Sequence, residues 1–203
     1  VKQIDSQVMH VRVYNEAKDG NRLSGDTYYI AEYPNFFLCA IADGLGNGPV
    51  AKESADVIPE ILAEYGEESI DSLMERCNNE MIYKRGAAVA LVKVDYKART
   101  LSYSCVGNVK FYMYQKKFDK MIYPLPVMGY LSGRKQSLRT QTYPVYPGDT
   151  FLLHSDGVNI RNPKEIIRSA RSADHLYERV MTDMKFGDDA TFIAGRLLFH
   201  EEV

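Results

Sequence analysis

The chain has 203 residues, 45% of them hydrophobic, which suits one large domain with a sizeable core better than two. Lys and Arg number 25 against 27 Asp and Glu, a formal net charge of −2, so no bulk electrostatic attraction to nucleic acid or to an anionic membrane is expected. No apolar run is long enough to span a bilayer and the first ten residues (VKQIDSQVMH) hold no signal-peptide core, so a soluble cytoplasmic protein is expected.

In chain order, β-branched and aromatic enrichment with period-two alternation predicts strands at Gln7–Tyr14, Thr27–Glu32 and Phe36–Ala42. Two helical segments follow. In Pro49–Tyr65 the residues Val50, Ser54, Val57, Ile58, Ile61, Leu62 and Tyr65 recur at three- and four-residue spacing, with Pro49 suited to the first turn and Gly66 to the stop. In Ser69–Lys84 the series Ile70, Leu73, Met74, Cys77 and Met81 does the same. Strands are then predicted at Ala87–Asp95, Thr100–Val106, Lys110–Gln115, Leu138–Pro144 and Thr150–His154. A helical region from Pro163 to about Met184, broken near Ser172, precedes a last strand at Thr191–Leu198. Runs of strands interrupted by helices, without strict βαβ alternation, imply an α+β fold of mostly antiparallel sheets covered by helices. No repeat, low-complexity tract or long polar linker divides the chain, so residues 1–203 are expected to form a single domain without a separate sensor domain.

Cys39, Cys77 and Cys105 are widely spaced and form no C-x-x-C pair, and His10, His154, His175 and His200 are scattered. Neither a disulfide nor a zinc site is expected. The acidic residues are more informative. Phe36–Ala42 is apolar throughout and ends abruptly in Asp43-Gly44; Phe151–His154 runs through Ser155 into Asp156-Gly157; Gly187-Asp188-Asp189 leads directly into Ala190–Ala194. Asp26 stands just ahead of another strand. A single Asp-Gly is a common turn, but aspartates at several strand ends would form a dense negative cluster if they meet. Such a cluster requires cations, and all-oxygen ligands suit Mg²⁺ or Mn²⁺. Other phosphate chemistries fit less well. Gly44, Gly46 and Gly48 lack the last glycine of a dinucleotide fingerprint, where Pro49 stands, and no Lys-Ser or Lys-Thr completes a P-loop. Leu45 occupies the position of the second aspartate in an aspartyl-phosphate motif, and there is no Gly-x-Ser-x-Gly elbow.

The stretches Gly25-Asp26, Ala42-Asp43-Gly44-Leu45-Gly46, Arg85-Gly86-Ala87-Ala88, Val106-Gly107-Asn108, Ser155-Asp156-Gly157 and Asp188-Asp189-Ala190-Thr191 resemble, in this order, the motifs of the PPM (protein phosphatase type 2C) superfamily. Glu75–Asn78, Lys84–Gly86, Val106–Val109, Tyr123–Pro126 and Gly129–Gly133 are similar to the small stressosome phosphatases within it. The resemblance implies a four-layer α-β-β-α sandwich with a two-metal site at one end of two stacked antiparallel sheets. It implies that Asp43 bridges two Mn²⁺ or Mg²⁺ ions, the Gly44 carbonyl binds one, and Asp156 and Asp188 hold the other. Asp26 would bind a metal or orient its water, and the bridging hydroxide would attack phosphoserine or phosphothreonine directly, without a phosphoenzyme. Asn108 would hydrogen-bond to water or phosphate, and Arg22 and Arg85 are candidate phosphate contacts.

Three departures stand out: Gly25 where many relatives are acidic, Leu45 where eukaryotic members have histidine, and Asn108 where many have aspartate. The implied partners are phosphorylated STAS-domain proteins of the stressosome, with no nucleic acid or membrane. Mixed charge on the exposed helix faces points to a monomer. The irregular stretch from Tyr123 to Lys135 is the expected substrate-facing flap. A phosphatase-fold binding module without catalysis, and a phosphatase for a different phospho-STAS antagonist, are the alternatives.

Overall fold

The computed structural model describes residues 2–17, 24–185 and 188–199. Arg22 and Gly187, both singled out in the sequence, lie outside the described residues. The strands are β1 (Lys2–Asp5), β2 (Met9–Glu16), β3 (Asp26–Glu32), β4 (Phe36–Gly44), β5 (Ala87–Asp95), β6 (Thr100–Val106), β7 (Lys110–Gln115), β8 (Lys120–Ile122), β9 (Thr140–Pro144), β10 (Thr150–His154) and β11 (Ala190–Leu197). The helices are α1 (Pro49–Tyr65), α2 (Ile70–Asn79), α3 (Pro163–Arg168) and α4 (Ala173–Asp183).

One sheet has the order β1-β2-β11-β10-β7-β8 and the other β3-β4-β5-β6-β9, and every pairing of strands is antiparallel. Because successive side chains of a strand point to opposite faces, β4 serves two cores at once. Phe37, Cys39 and Ile41 join Val11, Phe111 and Phe151 between the sheets. Leu38, Ala40 and Ala42 lie on the other face beneath Ile58 and Leu62 of α1 and Leu73 of α2. The other sheet buries Leu152, Phe192 and Ala194 under Ile167 of α3 and Leu176 and Val180 of α4. The result is the four-layer α-β-β-α sandwich that the family resemblance implies.

The differences have local causes. β1 and β8 escape the sequence pattern because they are short edge strands, and β1 is largely exposed, so neither has an alternation to read. α1 turns Ala51, Ser54, Ala55, Ile58, Ile61 and Leu62 inward, a stripe that leaves Val50 46% exposed although it fits the same spacing. α2 begins at Ser69, whose hydroxyl accepts the Ser72 N–H at 3.2 Å. It stops at Asn79 rather than continuing to Lys84, because the chain tightens into three-residue turns, Met81 N–H to Asn78 O and Lys84 N–H to Met81 O. This keeps Met81 buried and leaves Tyr83 exposed with φ 68°.

The stretch expected to be an irregular flap is pinned at three points. Val127 bonds to the end of β6, its N–H to Cys105 O at 2.8 Å and its carbonyl from Gly107 N–H at 2.9 Å. Leu131 exchanges both backbone bonds with Ala87 at the start of β5. Asn78, buried at the end of α2, accepts the N–H groups of Ser132 and Gly133 at 3.2 Å each and donates to Arg134 O at 2.8 Å. Between these anchors Met128 stands 90% exposed. Removing the Asn78 amide leaves two loop N–H groups and one carbonyl without their partner. Asn78→Ala is therefore expected to lower stability by roughly 1–3 kcal/mol in urea denaturation and to speed proteolytic cutting between residues 123 and 138.

Candidate metal centre

Four strand ends meet at one end of the sandwich. β3 and β4 pair so that Asp26 lies directly opposite Asp43. Asp26 shares the parity of Tyr28 and Ile30, and Asp43 that of Phe37, Cys39 and Ile41, so both carboxylates belong to the face between the sheets. From the other sheet, β10 runs out through Ser155 into Asp156, and Asp188 and Asp189 lead into its neighbour β11. Like charges directly opposite on paired strands repel, so this register is held against an electrostatic cost.

Hydrogen bonds across the two sheets hold it. The Ser155 hydroxyl, fully buried, donates to Asp26 Oδ2 at 2.6 Å and accepts the Thr191 N–H at 3.0 Å. The Ser155 N–H donates to the Thr191 carbonyl at 2.9 Å. The Thr191 hydroxyl accepts from Asn15 at 2.7 Å and also bonds Asp26. Asp189 closes the other side by accepting the Gly25 N–H at 2.7 Å.

Backbone packing explains two glycines of the motifs. A Cβ at Gly44 would stand 1.9 Å from the Ala51 carbonyl oxygen of α1, and one at Gly157 would stand 1.9 Å from that of Asp189. Only glycine permits these approaches, which bring α1 against β4 and the Asp156 turn against the Asp188–Asp189 turn. Gly25, where relatives are often acidic, is confined as well: a Cβ there would lie 3.1 Å from Asp189 Oδ2. A side chain at position 25 would crowd the Asp189 carboxylate, which would have to shift by a few tenths of an ångström.

The carboxylates form a gradient of burial. Asp26 is 3% exposed, Asp43 is half-buried, and Asp156 and Asp188 are exposed. Burial pushes the Asp26 carboxyl up to about 8, opposed by the Ser155 and Thr191 hydrogen bonds and reinforced by the charges of Asp43 and Asp189. Burial also raises Asp43, to about 7, and the charges of Asp156, Asp188 and Asp189 add to it. The four aspartates of the sequence reading therefore converge. Asp189, which that reading left without a role, is part of the same field.

Among the described residues, no three His, Cys, Asp or Glu side chains by themselves close into a cage that could hold a metal ion. An open set of carboxylates and a backbone carbonyl suits Mg²⁺ or Mn²⁺, which retain several waters and take only one or two carboxylates each. The donors are all oxygen, and around the half-buried Asp43 the carboxylates of Asp156, Asp188 and Asp189 add their charges to the effect of burial. On both counts the residues fit divalent cations.

The remaining candidates are placed as follows. The Asn108 amide donates to Asp156 Oδ2 at 2.7 Å, so it aims that carboxylate rather than facing open space. Arg85 lies against the glycine turn, its Nη1 3.3 Å from where a Gly46 Cβ would be. Leu45 donates its N–H to Gly86 O at 3.0 Å, and no histidine stands beside it in the turn. His154 lies behind Asp156. Its Nδ1–H donates to Ser155 O at 2.8 Å, and burial lowers its pKa to about 4.

A family model described as stage II sporulation protein E (SpoIIE) matches residues 35–197. Phosphoserine phosphatase RsbX of Bacillus subtilis (strain 168) is 33% identical over 194 residues, covering 95% of this chain and 97% of that protein. A crystal structure of RsbX in complex with magnesium has a TM-score of 0.93 at 32% identity, covering 97% of this chain and 98% of the other. A structure described as "The bacterial stressosome: a modular system that has been adapted to control secondary messenger signaling" gives a TM-score of 0.82 at 26% identity, with 93% and 99% covered.

A carboxyl whose folded pKa exceeds its unfolded value stabilises the fold when protonated. That contribution is complete below the unfolded value near 3.8 and is lost as pH rises through the folded value, here 7 to 8. In EDTA, Asp43→Asn is accordingly expected to be more stable than the parent at pH 8, with the advantage shrinking toward pH 5 in urea melts. Mn²⁺ should stabilise the parent at pH 8 and the variant much less.

Proposed function

The chain belongs to the SpoIIE family of PPM-type phosphatase domains, and on that premise we propose that it is a metal-dependent phosphoserine/phosphothreonine protein phosphatase acting on phosphorylated STAS-domain proteins of a stressosome. Asp26, Asp43, Asp156 and Asp188 converge from two sheets, with burial and mutual repulsion raising the first two, and this arrangement supports a two-metal phosphatase. A pure scaffold has no need of that cluster.

Two divalent cations, Mn²⁺ or Mg²⁺, would supply Lewis acidity toward the phosphate and make water nucleophilic near neutral pH. Asp43 and the Gly44 carbonyl would hold one ion, with Asp43 shared, and Asp156 and Asp188 would hold the other. The relatives support the choice of metal, since an RsbX structure contains magnesium. Asp26, buried and bonded by Ser155, would bind a metal or orient its water. Asn108 fixes Asp156 through its 2.7 Å bond. Arg85, beside the glycine turn, meets phosphate oxygens, and Arg22 remains a candidate for the same task. With Leu45 in place of a histidine, the leaving oxygen takes its proton from water or from another group. Most of the rate enhancement then comes from positioning and charge neutralisation.

The pinned segment from Tyr123 to Lys135 lies beside Arg85–Gly86 and Gly107–Asn108 through its bonds at Leu131 and Val127, and its exposed Leu125, Met128 and Tyr130 face outward. This supports its role as a substrate-facing flap. No described helix is long and apolar enough to cross a membrane. We take the functional unit to be a cytoplasmic monomer.

Mn²⁺-dependent phosphate release from p-nitrophenyl phosphate and from a panel of phosphorylated STAS proteins tests the reading. Asp43→Ala is expected to lower both rates at least about a hundredfold. Absence of metal-dependent activity in the parent would favour a binding module. Exchanging the flap is expected to alter activity on the protein substrate and to spare p-nitrophenyl phosphate.

A further inference from the structure

A groove leaves the metal centre past Asp156 and runs to Tyr123, the first residue of the flap. Its inner part is a cavity of about 260 Å³ walled by Asp156, His154, Lys110 and Asn159. It shares Tyr112 and Pro163 with an outer part of about 450 Å³ that reaches Tyr123, Arg161 and Lys164. The proposed two-metal mechanism uses none of these residues except Asp156.

Two independent features of the groove point to a ligand. The first is His154, 1% exposed, whose Nε2 has no hydrogen-bond partner. Because Nδ1–H donates to the Ser155 carbonyl, Nε2 carries the lone pair and needs a donor. A buried acceptor left unmet costs free energy, and a wall residue of a cavity can be met by an N–H or O–H entering it. Tyr112 lies parallel to the His154 ring at 6.0 Å and is itself stacked on Tyr123 at 4.7 Å, so the wall is a continuous rigid aromatic surface. The second feature is charge. Three cations, Lys110, Arg161 and Lys164, line one continuous groove, and none of them is ion-paired within 4 Å among the described residues. Glu165 on the outer rim is the groove's opposing charge, and Asp156 belongs to the metal end.

We propose that this groove is the subsite for the substrate chain next to the phosphorylated residue, and that it selects an extended segment with acidic side chains. The inference rests on the phosphatase reading for the position of the phosphate. Given that position, the chain leaving the metals passes Asn159 and His154, where a backbone N–H or a hydroxyl meets Nε2. Carboxylates farther along meet Arg161 and Lys164 over the Tyr112–Tyr123 face. Arg161 also has its backbone N–H fixed by Asp183 at 2.7 Å, which holds the rim in place.

The test uses two fluorescent peptides of equal length containing the non-hydrolysable phosphonomethylene analogue of phosphoserine, one with aspartates beside it and one with asparagines. With Mn²⁺ present, the acidic peptide is expected to bind roughly three- to tenfold more tightly, the scale of two or three partly exposed ion pairs, and less so at high salt. Arg161→Gln combined with Lys164→Gln should bring the ratio near one, while Lys97→Gln on the β5–β6 turn keeps it. Equal binding of the two peptides by the parent, or a preference that survives the double substitution, would overturn the proposal. Retained preference with no Mn²⁺-dependent phosphate release from the matching phosphoserine peptides would overturn the phosphatase reading and leave the groove as a peptide site.

Discussion

The hydroxyl of Ser155 joins the two sheets at the point where the carboxylates gather. It stands on the β10 side, donates to Asp26 of β3 and accepts from Thr191 of β11, so three strands from two sheets share one oxygen. Without that tie, Asp26 and Asp43, set opposite each other by the register of β3 and β4, would have only repulsion between them. The bond offsets part of the cost of burying Asp26 and fixes which of its oxygens remains available.

From that junction the site opens outward by burial. Asp26 is enclosed, Asp43 lies at the boundary, and Asp156 and Asp188 face solvent, so ions could enter from one side without unfolding the rest. The glycines at 44 and 157 keep the surrounding backbones close enough for the four strand ends to converge. The protein carries raised carboxyls here that a cation would relieve, the usual trade of stability for function at an active site. Beyond the metals lie the pinned flap and the aromatic and basic groove, which meet at Tyr123. Together they give a protein substrate two surfaces that a small phosphate ester does not use.

Much of this was legible in the chain. β4 and β10 announce themselves because both faces are buried, leaving an apolar run that stops at an aspartate. α1 and α2 are legible from their period, apart from the last residues of the second, where tertiary anchoring through Asn78 overrides the repeat. Asp26, Asp43, Asp156 and Asp188 could be named from their places at strand ends. Ser155, Thr191 and Asp189 could be quoted as parts of motifs but given no task, because a hydrogen bond between sheets depends on which strands become neighbours. The groove was invisible for the same reason: Lys110, His154 and Arg161 are scattered single residues until β7 pairs with β10 and α3 closes over them.

If the strand-end aspartates form one centre for two divalent cations, manganese must bind between them. The most direct measurement is anomalous diffraction from crystals grown with Mn²⁺. Two peaks about 4 Å apart, touching Asp43 and bounded by the Gly44 carbonyl, Asp156 and Asp188, are predicted. Absence of any peak at Asp43, or manganese bound only elsewhere on the surface, would contradict it.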